Sequence, residues 1–431
     1  MVARTAGVHA LQHLATAATD AAPDGLQAFR LYRPRAGHPD WPRLRAEADE
    51  IARRVQPLLE PPRRGWREWR RRMHSYAATA HHFVVNRRLL RGGREDLRPL
   101  YFIWTVLRTC NFRCGYCDDH RGQRYPELPK EGVLSTEDGI RLLRIMRNGT
   151  PSVYFSGGEP TLRKDLPRLT RAARDLDYFP IIVNTNASLI DRLLERSDWS
   201  AWLADTDVVI VSLDALHLPT LQRMWVYPHP ERVVRNLLLL RRLAGPMRFK
   251  LMVNTVIQPG AVEHARDILD LANDLGIWFC PVPVNTGPVV HPAVAGDRAY
   301  FALAKLIMQR KAEGYPISGS ARMLRRLLWS EPLLCRNTLK PHVDHDGRLF
   351  WPCKASVNVE PERLNVLQFH DVESLYRYAV GRIDPTRFHG PGPRQCGANC
   401  NWAQNYSTDA YVYGLEHPLS LARDIGEFLR G

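Results

Sequence analysis

The stretch RTCNFRCGYCDDH, residues 108–120, sets Cys110, Cys114 and Cys117 in a C-x3-C-x2-C array, in a chain with only 8 cysteines. It follows directly on PLYFIWTVL (99–107), an apolar run that reads as a buried strand. A loop this short can turn three sulfurs toward one centre. Clustered cysteines in a reducing compartment are metal ligands or catalytic thiols more often than disulfides. Two centres fit the array. An iron–sulfur cubane held by three cysteines keeps one iron open to a substrate or cofactor; tetrahedral zinc needs a fourth ligand, which His120 or water can supply. Asp118 and Asp119 beside it either meet a substrate or simply face water.

Outward from this loop, strand-like and helical stretches alternate for almost two hundred residues. SVYFSG, FPIIVNT, DVVIVSL, FKLMVNTVI and IWFCPVPV are short apolar runs rich in Val and Ile. Between them lie helices such as STEDGIRLLRIMR, opened by the capping pair Ser135 and Asp138, and VEHARDILDLANDLG, with Ile268, Leu271 and Leu275 on one face and Gly276 as its stop. Repeated βα units predict an α/β fold: a parallel sheet covered by helices, doubly wound or closed toward a barrel, with active residues at the C-terminal strand ends. Those ends are polar. In YFSGGEP, Gly157 and Gly158 are expected to let backbone approach a ligand, and Glu159 offers a carboxylate to an ammonium group. VNTNAS brings Asn184, Thr185 and Asn186, and VSLDA brings Ser212 and Asp214, to hold a ligand such as a ribose. The plain alternatives are a tight turn for the glycines, a helix cap for Asp214 and a core position for Tyr116.

The combination of C-x3-C-x2-C after the first strand, Tyr116 before the last cysteine and GGEP after the second strand resembles the radical S-adenosylmethionine (radical SAM) superfamily, over roughly residues 99–285. The resemblance implies a partial (β/α) barrel and a [4Fe–4S] cluster on Cys110, Cys114 and Cys117. It implies S-adenosylmethionine chelating the open iron and reductive cleavage to a 5'-deoxyadenosyl radical that abstracts a hydrogen atom from carbon. By the same resemblance Gly157, Gly158 and Glu159 serve the methionine ammonium, Ser212 its carboxylate and Asp214 the ribose, with Asn186 at the same edge, and Tyr116 packs near the adenine. Flavodoxin or ferredoxin is then the expected reductant, and the substrate a natural product, sugar, lipid or peptide.

Four more cysteines lie near the C-terminus. CRNTLKPHVDHDGRLFWPC spans Cys335 to Cys353, and Asp346-Gly347 within it signals a hairpin leading into RLFW. Cys396 and Cys400 follow in CGANC, so one cubane or one zinc can gather four ligands. This is similar to the twitch and SPASM auxiliary-cluster domains, with too few cysteines for two clusters, so a single second [4Fe–4S] cluster is expected, against zinc or incomplete ligation. Cys280, the eighth cysteine, reads as a buried strand thiol, with hydrogen-atom donor or cluster ligand as alternatives.

The expected organisation is an Arg-rich helical extension (1–98), the core (99–285) and a small auxiliary-cluster domain (286–431). WPRLRAEADEIARRVQPLL carries helical periodicity before Pro61 and Pro62. Lys and Arg number 60 against 45 acidic residues, a net charge of +15, and residues 61–99 hold 11 Arg against three acids. That segment is either a solvated face or a contact for an anionic membrane or substrate. No clear nucleic-acid motif accompanies it, although a zinc-stabilised nucleic-acid-binding protein is the competing function. The first 25 residues show no signal-peptide pattern and no apolar run nears about 18 residues, so the expected location is cytoplasmic.

Overall fold

All six apolar runs form strands. In the computed structural model, which describes residues 32–94, 96–117, 127–286, 289–331, 333, 336–351, 353–354, 362–382, 402–420 and 422–423, they are β1 (Tyr101–Thr105), β2 (Ser152–Ser156), β3 (Ile181–Thr185), β4 (Val208–Ser212), β5 (Lys250–Ile257) and β6 (Trp278–Pro283). They pair in parallel and in sequence order, with Ile103 beside Tyr154, Asn184 beside Ile210, and Ser212, Asn254 and Cys280 in one row. Along β5 burial strictly alternates: Leu251, Val253, Thr255 and Ile257 face the helices, and Met252, Asn254 and Val256 face the partly open inner side. The sheet is therefore the wall of a partial barrel, apolar behind and mixed in front.

The helices behind it come from the expected signals. Ser135 caps α3 (Thr136–Arg147) by accepting from Asp138 N. Helix α7 (Val262–Leu275) buries Ile268 and Leu271 and stops at Gly276, whose φ of 61° is cheap only for glycine. Between them in the chain lie α4 (Leu166–Asp175), α5 (Leu218–Trp225) and α6 (Pro230–Met247). Helix α1 (Trp41–Val55) packs on α6 through Leu44, Ala48, Ile51 and Val55, each large aliphatic contributing about 1.5–3 kcal/mol on burial.

The C-terminal segment joins this sheet. Beyond the expected boundary at 286, β7 (His342–Val343) pairs in parallel with β1, and β8 (Arg348–Trp351) and β9 (Glu362–Asn365) continue it antiparallel, giving the order β9-β8-β7-β1-β2-β3-β4-β5-β6. The turn between β7 and β8 holds Gly347 at φ 80°, as its Asp-Gly sequence predicts.

Helix α2 (Trp66–Arg91) carries most of the Arg-rich segment and lies across the N-terminal ends of four strands. Its four fully buried residues are all polar. Arg71 pairs with Asp207 at 2.6 Å before β4 and donates to Tyr178 O before β3; Ser75 donates to Pro151 O before β2; His82 meets Pro99 O and Asn86 donates to Arg98 O before β1. The expectation of a solvated or membrane-facing arginine face thus fails for Arg71, which is 2% exposed. Burial opposes ionisation of Glu68, but Arg71, Arg72 and Arg174 hold its pKa down to about 2. Because that pKa is depressed, its stabilisation stands above the usual carboxylate range and disappears as pH falls toward 2. Arg71→Ala leaves the part-buried Asp207 without its guanidinium, while Glu68 keeps Arg72 and Arg174, and is expected to cost about 3–5 kcal/mol. A melting temperature unchanged by this substitution would show that α2 is not anchored through the pair.

Candidate active site

The cysteine loop begins where β1 ends, and three further strand ends hold it. Loop and β2 end touch backbone to backbone: Gly158 N donates to Leu107 O and Glu159 N to Thr109 O, both at 2.9 Å. Gly157 has φ 140°, and a Cβ there would overlap Leu107 O; at Gly158 it would overlap Thr109 O and stand 2.6 Å from Arg108 O. The glycines therefore admit the chain's own 107–109 backbone.

Glu159 is buried, and its carboxylate accepts four hydrogen bonds from within the chain. Oε1 accepts from Thr161 N (3.0 Å), Thr161 Oγ1 (2.6 Å) and Thr185 Oγ1 (2.7 Å), and Oε2 from Asn186 N (2.6 Å). Burial raises its pKa, against these donors. The residue expected to meet an ammonium is also the rivet between the ends of β2 and β3. Asn186 continues it: its Nδ2 donates to Asn111 Oδ1 at 2.9 Å, its Oδ1 accepts from Ser188, and Asn111 donates to Ser188 Oγ at 2.8 Å. Asn186 thus grips the cysteine loop from β3. Asn111 and Ser188 escaped the sequence reading because isolated polar loop residues carry no pattern. Glu159→Gln turns an amide donor toward donors whichever way it lies, at about 1–3 kcal/mol for the group left unpaired. Melting temperature and cluster content are expected to fall together; weaker cofactor binding with both unchanged would restore direct contact.

The end of β4 grips the other side. Asp214, 2% exposed, accepts from the Tyr116 hydroxyl, from Trp225 Nε1 (2.8 Å) and from Val256 N (2.8 Å). Its burial raises its pKa, and that of Tyr116 is driven well up by burial and by Asp214. Backbone bonds from Arg113 N to Trp225 O and Gly115 N to Met224 O tie the loop to the end of α5. Asp214 and Tyr116 therefore brace the loop at the positions where ribose and adenine contacts were expected. Trp225, one apolar residue among many in sequence, closes this brace. On the third side, Arg108 pairs with Asp344, just past β7, and donates to Pro129 O at 3.0 Å.

Cys110, Cys114 and Cys117 are all half-buried on the loop so held. Burial pushes the Cys110 thiol up to about 12, with Glu159 and Cys117 adding to it, and burial with the neighbouring thiols raises Cys114 as well. Each thiol opposes ionisation of the others, a cost that a cationic centre bound between them would remove, so the donor set by its chemistry fits an iron–sulfur cluster. Ser212 sits half-buried on the inner face, in the row with Asn254 and Cys280. Cys280 lines that open side rather than the sheet–helix core, with its pKa raised to about 11 by burial. Beside Gly115 and Tyr116 opens a cavity of 350 Å³ bordered by Met224, Gln258, Asn285 and His291. Gln258 Nε2 and Asn285 Nδ2 are buried there with no partner among the described residues. Of the second cysteine set, Cys353 is buried against Trp402, while Cys335, Cys396 and Cys400 lie outside the described residues, as do Asp118, Asp119 and His120.

A half-closed parallel barrel with three thiols at its C-terminal edge defines a class. Residues 104–272 match the Radical SAM superfamily model. The chain is 30% identical over 269 residues to a probable GTP 3',8-cyclase of Saccharolobus solfataricus, covering 59% of this chain and 81% of that one. It is 37% identical over 123 residues to the Fe-coproporphyrin III synthase of Methanosarcina barkeri, spanning 28% of this chain and 29% of the synthase. The fold matches the crystal structure of Streptococcus suis SuiB bound to S-adenosylmethionine with TM-score 0.54 and 19% identity, over 70% of this chain and 73% of that one. The chain belongs to the radical SAM superfamily and is an enzyme of that family, which uses a [4Fe–4S] cluster and S-adenosylmethionine and draws on a reductant. That membership replaces the nucleic-acid-binding alternative. Among the described residues no helix is long and apolar enough to cross a membrane.

Proposed function

We propose that Cys110, Cys114 and Cys117 hold a [4Fe–4S] cluster at which S-adenosylmethionine is reductively cleaved, and that the chain directs the resulting 5'-deoxyadenosyl radical at a carbon–hydrogen bond of its substrate. The observation that carries this reading is a half-buried three-thiol loop fixed from three strand ends. The bound cluster and cofactor supply the electron and the radical; the protein supplies position. Glu159, Asn186 and Asn111 fix the loop from β3, and Asp214 with Tyr116 and Trp225 fixes it from β4. Ser212 is left to meet the methionine carboxylate. The unpaired amides of Gln258 and Asn285 are suited to acceptor atoms of a nucleoside entering the adjoining cavity. The inner face, with Asn254 and Cys280, borders the space for a natural-product, sugar, lipid or peptide substrate.

Cys335, Cys353, Cys396 and Cys400 form a second [4Fe–4S] site in this reading. Its support is the packing of Cys353 on Trp402, which follows Cys400 by two residues in the chain. Flavodoxin or ferredoxin delivers the electron at the cysteine-loop edge. Anaerobic reconstitution tests the whole: reduced protein is expected to convert S-adenosylmethionine to 5'-deoxyadenosine and methionine. No 5'-deoxyadenosine at high cluster occupancy with strong reductant would overturn the assignment.

A further inference from the structure

Helix α2 is built inside out. Its inward residues Arg71, Ser75, His82 and Asn86 are polar, whereas Trp66, Trp69, Met73 and Val84, at helical spacing on the opposite side, are 69%, 50%, 37% and 48% exposed. Trp66 and Trp69 stack at 4.6 Å between ring centroids, so the exposed indoles form one ordered surface rather than two loose side chains. Tyr76 adds a third exposed ring. Cations flank the stripe: Arg67 and Arg88 are exposed and make no ion pair among the described residues, and Arg70 is 60% exposed beside Asp177. The single acidic residue of α2, Glu68, turns inward to Arg71 and Arg174. An exposed apolar stripe with basic edges, whose nearby Asp177 is mostly buried, marks a contact surface.

Its place in the fold selects the partner. The helix lies under the N-terminal strand ends, and the cysteine loop lies beyond the C-terminal ends, so a five-residue strand, about 17 Å, separates them. An electron donor docked on α2 would stand on the wrong side of the sheet. Residues 1–31 of the chain, with two Asp and two Arg, offer no net charge to match the arginines. A negatively charged lipid surface matches both components, taking indole and tyrosine rings at the headgroup level and arginines at the phosphates.

We infer that the outward face of α2, from Trp66 to Arg88, docks the enzyme on an anionic bilayer, with the cysteine-loop edge turned away from the lipid. The contact needs no cluster and is therefore independent of the chemistry proposed above. It also leaves the reductant's approach unobstructed.

Full-length protein mixed with phosphatidylcholine vesicles, with or without about 30% phosphatidylglycerol, tests this by co-sedimentation at low and high salt. Binding is expected to the anionic vesicles, to weaken with salt, and to fall roughly ten-fold or more in W66S/W69S and in R67Q/R70Q. Both variants change exposed side chains, so their melting temperature and S-adenosylmethionine cleavage in solution should match the parent; R67E alone gives a second charge test. Equal binding to neutral and anionic vesicles, no binding to either, or retention by both double variants overturns the inference. So does slower reduction by flavodoxin in R67Q/R70Q without vesicle binding, which would give the face to an acidic protein.

Discussion

Cys114→Ala is expected to reduce 5'-deoxyadenosine formation by more than about 100-fold, beyond the loss usual for a residue that merely supports a metal ligand. Cys396→Ala is expected to leave cleavage measurable while lowering iron content or substrate turnover. In the proposed assignment only the first array has three thiols, and so leaves an iron without a protein ligand. The second set has four, enough to close a cubane. Folding should survive both changes: Cys114 is half-buried, and its loop is held by Asn111, Arg113, Gly115 and Tyr116 rather than by the thiol. Product analysis after anaerobic reconstitution reads the first effect, and iron and sulfide content reads the second. If both variants lose cleavage equally while melting like the parent, the division of labour between the two cysteine sets is wrong.

What the sequence displays is local, and what it hides is the identity of partners. Six runs of Val and Ile gave six strands in the expected order, because a buried strand needs apolar residues wherever it pairs. The residues of the site were also identifiable, since Cys110, Gly158, Glu159, Asn186 and Asp214 all fall at strand ends. Their internal partners were not legible. A buried carboxylate at such an edge serves a ligand or a loop equally well in one dimension. Thr161, Thr185 and Asn186 around Glu159 come from two strand ends, and only the folded chain brings them together. The same holds for Asp214, whose partners Tyr116, Trp225 and Val256 span 140 positions of the chain. Strand β7 is two residues long, too short for any periodicity, so its pairing with β1 had no sequence signature. Helix α2 misled for another reason: its inward arginine is stabilised by Asp207, 136 residues away, and charge alone suggested solvent.

Gly158→Ala is expected to empty the site without touching a ligand. The added methyl would overlap Thr109 O and lie 2.6 Å from the Arg108 oxygen, and both are backbone atoms that no rotamer change can move. Relief requires the β2 end and the 107–109 segment to part. That breaks the 2.9 Å bonds from Gly158 N to Leu107 O and from Glu159 N to Thr109 O, and it displaces Cys110, the next residue. Overpacking alone costs about 1–3 kcal/mol, and each broken bond adds about 1 kcal/mol. Iron content after reconstitution is therefore expected to fall several-fold, together with the melting temperature. Gly381→Ala supplies the contrast. In the helix Val372–Arg382 a methyl there meets nothing within 4 Å, and replacing a helical glycine by alanine stabilises by up to about 1 kcal/mol. The same substitution should thus move stability in opposite directions at the two positions, with cluster content changed only at Gly158. Normal iron incorporation in a folded Gly158→Ala protein would show that the contact between the GGEP turn and the 107–109 backbone does not set the cysteine loop.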